Sequence, residues 1–165
     1  MFYDAQTNIA SLRYLFVNPI FLSSVSSLCI AQLSKGFFYV LRRKRRKTKE
    51  LLEIITWRTG GMPSSHAAIV CSLCTSVAFV EGVASNLFIV SFWFSLVVLR
   101  DAMGVRRSAG LVAKALNSLG KQASEKMGID FSPVKEIQGH TPLEVIVGGC
   151  LGVIISIGFY LFGPL

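Results

Sequence analysis

Residues 139–162 read GHTPLEVIVGGCLGVIISIGFYLF, and after Pro142 the only charge in this run is Glu144, one turn in. A bilayer core of about 30 Å needs about 20 mostly apolar residues in a helix, and this run supplies them. Three further runs nearly free of charge precede it, so the expected spans cover about 18–41, 63–80, 84–100 and 142–162. The first opens on Asn18-Pro19, a cap and first-turn pair, and its only charge is Lys35. The second follows Pro63 and stops at Glu81-Gly82, and the third runs from Ala84 to Leu99 and stops at Arg100-Asp101. With 165 residues, 52% hydrophobic and 16% charged, and a mean hydropathy of +0.57, the chain reads as one integral membrane domain over 1–165. Its fold class is all-α, a polytopic bundle of about four transmembrane helices plus one or two interfacial or connector helices.

Two stretches supply those extra helices. Leu111, Val112, Ala115, Leu116, Leu119 and Ala123 recur at helical spacing while Lys114, Lys121 and Lys126 lie elsewhere, which predicts an amphipathic helix along the headgroups or against the bundle. Tyr3 to Phe16 has Ile9, Leu12 and Phe16 on one side and suits a short interfacial helix. It lacks the basic n-region of a signal peptide, so no cleaved segment is expected. The four cysteines, Cys29, Cys71, Cys74 and Cys150, all fall in apolar stretches. They resemble neither a disulfide framework nor a zinc knuckle, and Cys71 and Cys74 read as packing residues. Gly148 and Gly152 give a Gly-x-x-x-Gly spacing, suited to close helix packing within the bundle or to a homodimer.

The net charge of +8, from 17 Lys+Arg and 9 Asp+Glu, sorts by side. Arg42 to Lys49 with Arg58 lie between the first two runs, and Arg100 to Lys135 lie between the last two. Glu81 to Asn86 carries no basic residue. By the positive-inside rule both basic loops are cytoplasmic and both termini lie opposite. The run Arg42-Arg43-Lys44-Arg45-Arg46-Lys47 against a membrane span reads as a topology or anionic-lipid signal, with no nucleic acid as partner.

Three polar constellations fall at that same face. In Gly60-Gly61-Met62-Pro63-Ser64-Ser65-His66, a proline after a glycine turn opens a helix. Its free first-turn N–H groups and serine hydroxyls can hold a phosphate, or the serines simply cap the helix. In Gly139-His140-Thr141-Pro142-Leu143-Glu144, Thr141 and Glu144 fit a capping box. Glu144 could instead accept from His140 Nδ1, leaving Nε2 free as a nucleophile; the two roles compete for one side chain, and the orienting role is favoured. The third is a set of cations, Lys35, Arg42, Arg100, Arg106 and Arg107, whose geometry suits phosphate oxygens. Lys35 is either a snorkelling residue or a buried phosphate ligand. Asp101 reads as an ion-pair partner that positions the arginines.

Together, Lys35 with six residues before Arg42, Pro63-Ser64-Ser65-His66, and His140-x-Pro142-x-Glu144-Val145 with Gly148 and Gly152 resemble the three signature blocks of the type 2 phosphatidic acid phosphatase and vanadium haloperoxidase superfamily. Gly-Gly-Met-Pro-Ser-Ser-His, Asp101-x-x-Gly104-Val105-Arg106-Arg107 and Gly-His-Thr-Pro-x-Glu-Val resemble its divergent, haloperoxidase-related membrane branch, over roughly Gln32 to Gly152. The resemblance implies that His140 is the nucleophile forming a phosphohistidine, that Glu144 orients it, and that His66 is the acid protonating the leaving alkoxide. It also implies that Ser64, the Ser65 backbone, Lys35 and Arg42 hold phosphate, with no metal and no cofactor. The arginine expected six residues before the second histidine is Val134, and Arg106 or Arg107 could replace it in space. The main family has Gly where this chain has Ser65, and Arg43 stands where a proline follows the first-block arginine.

The resulting expectation is an acid phosphatase-like hydrolase of a lipid phosphate or diphosphate, with anionic headgroups as further partners. The alternative is a non-catalytic membrane protein that binds anionic lipid or phosphate, or scaffolds a partner. Vanadate-dependent halide oxidation shares the pocket geometry but suits a small integral membrane chain poorly.

Overall fold

The computed structural model describes residues 14–42, 61–136 and 139–163, apart from the side chains of Tyr39, Leu41 and Arg42. Five helices follow one another in these segments: α1 (Pro19–Arg42), α2 (Ser65–Glu81), α3 (Asn86–Met103), α4 (Val105–Met127) and α5 (Pro142–Phe162). No strand occurs among the described residues. The interfacial helix expected over Tyr3 to Phe16 and the basic run Arg43 to Lys49 lie largely outside them.

Four of the five helices begin where the sequence supplies a side-chain acceptor for the free N–H groups of the first turn, whereas α4 opens on Gly104 without a side-chain cap. Asn18 Oδ1 accepts from Ile20 and Phe21 N–H at 2.8 and 3.3 Å. Ser64 caps α2, Ser85 caps α3 and Thr141 caps α5. Two boundaries differ from the sequence reading. Pro63 precedes the cap instead of opening α2, since Ser64 is extended and Ser65 is the first helical residue. The charged pair Arg100-Asp101 ends the apolar run but not the helix, because α3 continues to Met103 and breaks at Gly104. Charge marks where a helix leaves hydrocarbon; only backbone chemistry ends it. The connector α4 is correspondingly longer than its periodic core suggested, starting directly after Gly104.

Pro19–Phe38, the apolar part of Asn86–Met127 that α3 supplies, and Pro142–Phe162 are long and apolar enough to cross a membrane. α2 is apolar but only 17 residues, about 25 Å at 1.5 Å per residue. It sits between the others, packed against α1, α3 and α5, and α1 also meets α5.

The interior of this bundle is made of small side chains. Among the described residues the largest fully buried side chains are serines, Ser23, Ser27, Ser64, Ser72 and Ser156, while Trp93 and Val97 of α3 stand 62% and 66% exposed. Such an inverted distribution suits hydrocarbon as the surrounding solvent. Lipid offers no hydrophobic drive between helices, so association depends on close approach and on polar contacts, each worth about 0.6 kcal/mol. Ser23 and Ser76 Oγ are 2.6 Å apart, and Ser72 and Ser156 Oγ are 2.7 Å apart. Ser95 Oγ donates across the α2–α3 interface to the Val70 carbonyl at 3.0 Å. The Gly-x-x-x-Gly seam is used inside the chain: a Cβ at Gly148 would collide with the Ser64 backbone, and one at Gly152 with the Ala68 carbonyl. Ala67, Ala102 and Val145, from α2, α3 and α5, form the small apolar cluster beneath one end of the bundle.

Candidate functional site

The polar constellations of the sequence meet at that end. The N-termini of α2 and α5 open there, and α3 finishes beside them. Ser64 N–H donates to the Glu144 carbonyl at 3.0 Å, and His140 N–H donates to the Ala102 carbonyl at 3.2 Å. These two backbone bonds tie the starts of α2 and α5 to each other and to the end of α3. They bring the His66 and His140 rings to a centroid distance of 6.3 Å with 63° between their planes.

His140 is 3% exposed, and its Nδ1 lies 3.1 Å from Glu144 Oε2. The same Oε2 accepts the Thr141 N–H at 3.1 Å, while Thr141 Oγ1 accepts the Glu144 N–H at 3.4 Å. The two roles set in competition by the sequence are therefore compatible, because one carboxylate oxygen has lone pairs for both donors. A carboxylate at Nδ1 assigns the proton to that nitrogen and leaves Nε2 with a free lone pair. Burial pushes the His140 imidazole below the ordinary histidine range. The Glu144 hydrogen bond and charge oppose this, and the positive charges of Lys35 and Arg106 add to it.

Lys35 is buried within the bundle and donates from Nζ to Ser65 Oγ at 3.1 Å. Of the two roles open for it, snorkelling to the surface is not what the structure shows. Ser64 is wholly buried, and its Oγ accepts the Ala67 N–H at 3.4 Å. Of the first three N–H groups of α2, those of Ser65 and His66 then remain without an intrahelical acceptor, a cradle suited to an anion. Arg106 donates from Nε to Asp101 Oδ2 at 2.7 Å, with the two side chains 44% and 41% exposed. The ion pair read for Asp101 is thus present, with Arg106 as its partner. Arg106, Lys35 and Asp101 all lie close enough to act electrostatically on His66. Arg107 lies on the same turn, where its backbone fills the space a Cβ on Gly139 would need. Arg42 ends α1, and its side chain lies outside the description.

Val134, at the position of the missing arginine, lies on the extended segment after α4. It exchanges two backbone hydrogen bonds with the Asn117 side chain at 2.9 Å each. The sequence reading missed this clasp and, although it read Gly148 for close helix packing, it missed Ser64 as the partner. Neither has a local signal, since each depends on a partner brought close only by the fold. Among the described residues no three of His, Cys, Asp and Glu gather to hold a metal ion. What gathers is a set of cations and N–H donors around two imidazoles, which suits a phosphoryl group.

Residues 16–155 match the family model described as Divergent PAP2 family. The chain belongs to the Divergent PAP2 family. The chain is 36% identical over 157 residues to the uncharacterized membrane protein YuiD of Bacillus subtilis (strain 168), covering 87% of this chain and 94% of that protein. No solved structure matches. Membership, the apolar helices and the membrane-protein relative together make this a PAP2-related integral membrane protein.

Proposed function

We propose that this chain is a membrane-embedded phosphatase that hydrolyses a lipid phosphate or diphosphate through a phosphohistidine. The observation that carries the reading is the pair of imidazoles 6.3 Å apart, one oriented by a carboxylate at Nδ1. His140 Nε2 attacks phosphorus, the bond to the leaving oxygen breaks, and that oxygen takes the proton carried by the His66 ring. A water then attacks the phosphorus of the phosphohistidine as His66 removes its proton. The P–N bond breaks with its electron pair returning to Nε2, and inorganic phosphate leaves.

Through both steps the equatorial oxygens are held by fixed positive charge and N–H donors. Lys35, Arg106 and the Ser65 and His66 N–H groups are the candidates within the described residues, joined by Ser64 and Arg107, and Arg42 is a further candidate from the sequence resemblance. Asp101 keeps Arg106 turned toward the site through Nε, leaving the two terminal nitrogens of the guanidinium for phosphate. The lipid tail would run along the outer faces of the spanning helices. Sorting of the basic loops favours a cytoplasmic site.

A second reading, a phosphate-binding or scaffolding protein without turnover, draws on Val134, since the segment's arginine is replaced by a side chain that cannot hold charge. One experiment separates the two. Purified protein is incubated in chelator with radiolabelled phosphatidate, isoprenyl phosphate or isoprenyl diphosphate, quenched in alkali and tested for an alkali-stable, acid-labile phosphoprotein. A label lost in His140→Ala and turnover lost in both His140→Ala and His66→Ala support hydrolysis. A folded protein with neither label nor phosphate release on any of these substrates refutes it.

A further inference from the structure

Alone among the five described helices, α4 buries no residue. Yet it is not uniformly polar. Val105, Val112, Leu116, Leu119 and Met127 fall on one face at helical spacing, and they are 48–72% exposed. At 23 residues the helix is about 34 Å long, so the apolar stripe runs most of its length.

Two observations say what can cover that stripe. First, the chain itself is committed to another flank. The segment after α4 returns along Asn117 and Gly120, where Asn117 Nδ2 donates to the Val134 carbonyl and to Glu136 Oε1 at 2.9 Å each, and the Phe131 ring occupies the space beside Gly120. Asn117 and Gly120 are on the flank between the stripe and Lys114 and Lys121, so the return segment leaves the stripe bare. Second, the helix is placed and charged for a bilayer surface. It starts one residue after α3, at the end where that spanning helix turns charged at Arg100-Asp101. Its sequence carries five basic side chains, Arg106, Arg107, Lys114, Lys121 and Lys126, against one acid, Glu125.

We propose that α4 is an in-plane membrane helix whose apolar stripe is immersed at the acyl boundary of an anionic leaflet, with Lys114 and Lys121 on the opposite face toward the phosphate level and Lys126 at the edge of the stripe near the helix end. An exposed apolar stripe flanked by cations is what such an interface selects, since buried apolar area and attraction to anionic lipid add. The bilayer is the same one that α3 crosses, so immersion costs no separate encounter.

The full chain, with its four cysteines replaced by alanine, is given single cysteines at Leu116, Leu119, Lys114 or Lys121, nitroxide-labelled and reconstituted into phosphatidylcholine–phosphatidylglycerol vesicles. Power saturation then compares collision with oxygen, which concentrates in lipid, and with a water-soluble nickel chelate. Labels at Leu116→Cys and Leu119→Cys should be reached by oxygen and shielded from the chelate, and those at Lys114→Cys and Lys121→Cys the reverse. Equal chelate access at all four positions would overturn the proposal, as a helix held in water. Shielding of 116 and 119 from both reagents with spin–spin broadening would also overturn it, as a stripe covered by a second copy. The readout needs no turnover and stands apart from the fate of the phosphatase reading.

Discussion

A single methyl group added at Gly148 should separate the two histidines. A Cβ built there lies 2.9 Å from Ser64 N and 3.1 Å from Ser64 C, and nearer still to the Ser64 carbonyl oxygen. Carbon contacts are comfortable at about 3.5–4.0 Å, so the start of α2 must withdraw from α5 by roughly 0.5–1 Å. Ser64 cannot yield alone, because its N–H is bonded to the Glu144 carbonyl at 3.0 Å. Overpacking of this kind costs about 1–3 kcal/mol, while replacing a helical glycine by alanine returns about 1 kcal/mol. A net loss of up to about 2 kcal/mol is expected. The effect on turnover should be larger, since a displacement near 1 Å of a reacting group costs about 100-fold. Gly158 provides the matched control in the same helix, as nothing lies within 4 Å of its Cβ position. Thermal unfolding in detergent and phosphate release should therefore fall for Gly148→Ala and hold for Gly158→Ala. If both variants melt and turn over like the parent, the tight apposition of α2 and α5 does not set the site.

Three other outcomes follow from the same geometry. Because burial lowers the His140 pKa from 6.5, its neutral form should persist below that pH, placing the acid limb of kcat/KM under 6.5. Glu144 opposes the lowering, so Glu144→Gln should reduce the plateau and move the limb further down; a limb that moves up in a pH–rate profile would contradict the assignment. Arg106→Ala should weaken inhibition by inorganic phosphate about tenfold, for the loss of a charge-assisted contact of about 1.5 kcal/mol. Its melting temperature should barely change, as exposed pairs contribute about 1 kcal/mol or less. Asn117→Ala removes the three hydrogen bonds that hold residues 134 and 136 and should speed limited proteolysis between Ile129 and Lys135, read by mass spectrometry.

Much of this architecture is legible in the sequence for a physical reason: hydrocarbon tolerates few charges, so Lys35 and Glu144 stand out in their runs and Arg100-Asp101 marks a boundary. Pro63-Ser64-Ser65-His66 and His140-Thr141-Pro142-x-Glu144 are local motifs, and the starts of α2 and α5 lie within a residue or two of where those motifs place them. Contacts between distant segments were beyond reach. Nothing near Asn117 announces Val134, and nothing near Gly148 announces Ser64. The dual bond of Glu144 Oε2 was also hidden, since spacing shows which groups can meet but not that one oxygen meets two. Serines inside apolar runs were invisible for another reason: averaged hydropathy treats them as dilution of a span, whereas they mark the side that faces the other helices.

That serine-lined interior reverses the usual guidance for engineering the protein. In a water-soluble fold, raising the hydropathy of buried positions tends to strengthen the whole. Here Ser72→Leu would make α2 a more apolar span and still force it away from Ser156, so the segment would enter the bilayer more readily while its bundle came apart. Conversely, the outward Phe and Val side chains of α3 can be exchanged for other lipid-soluble groups at little cost, because their neighbours are fluid. Insertion and assembly are thus written on opposite faces of the same helices, and a variant library scored for one would select against the other.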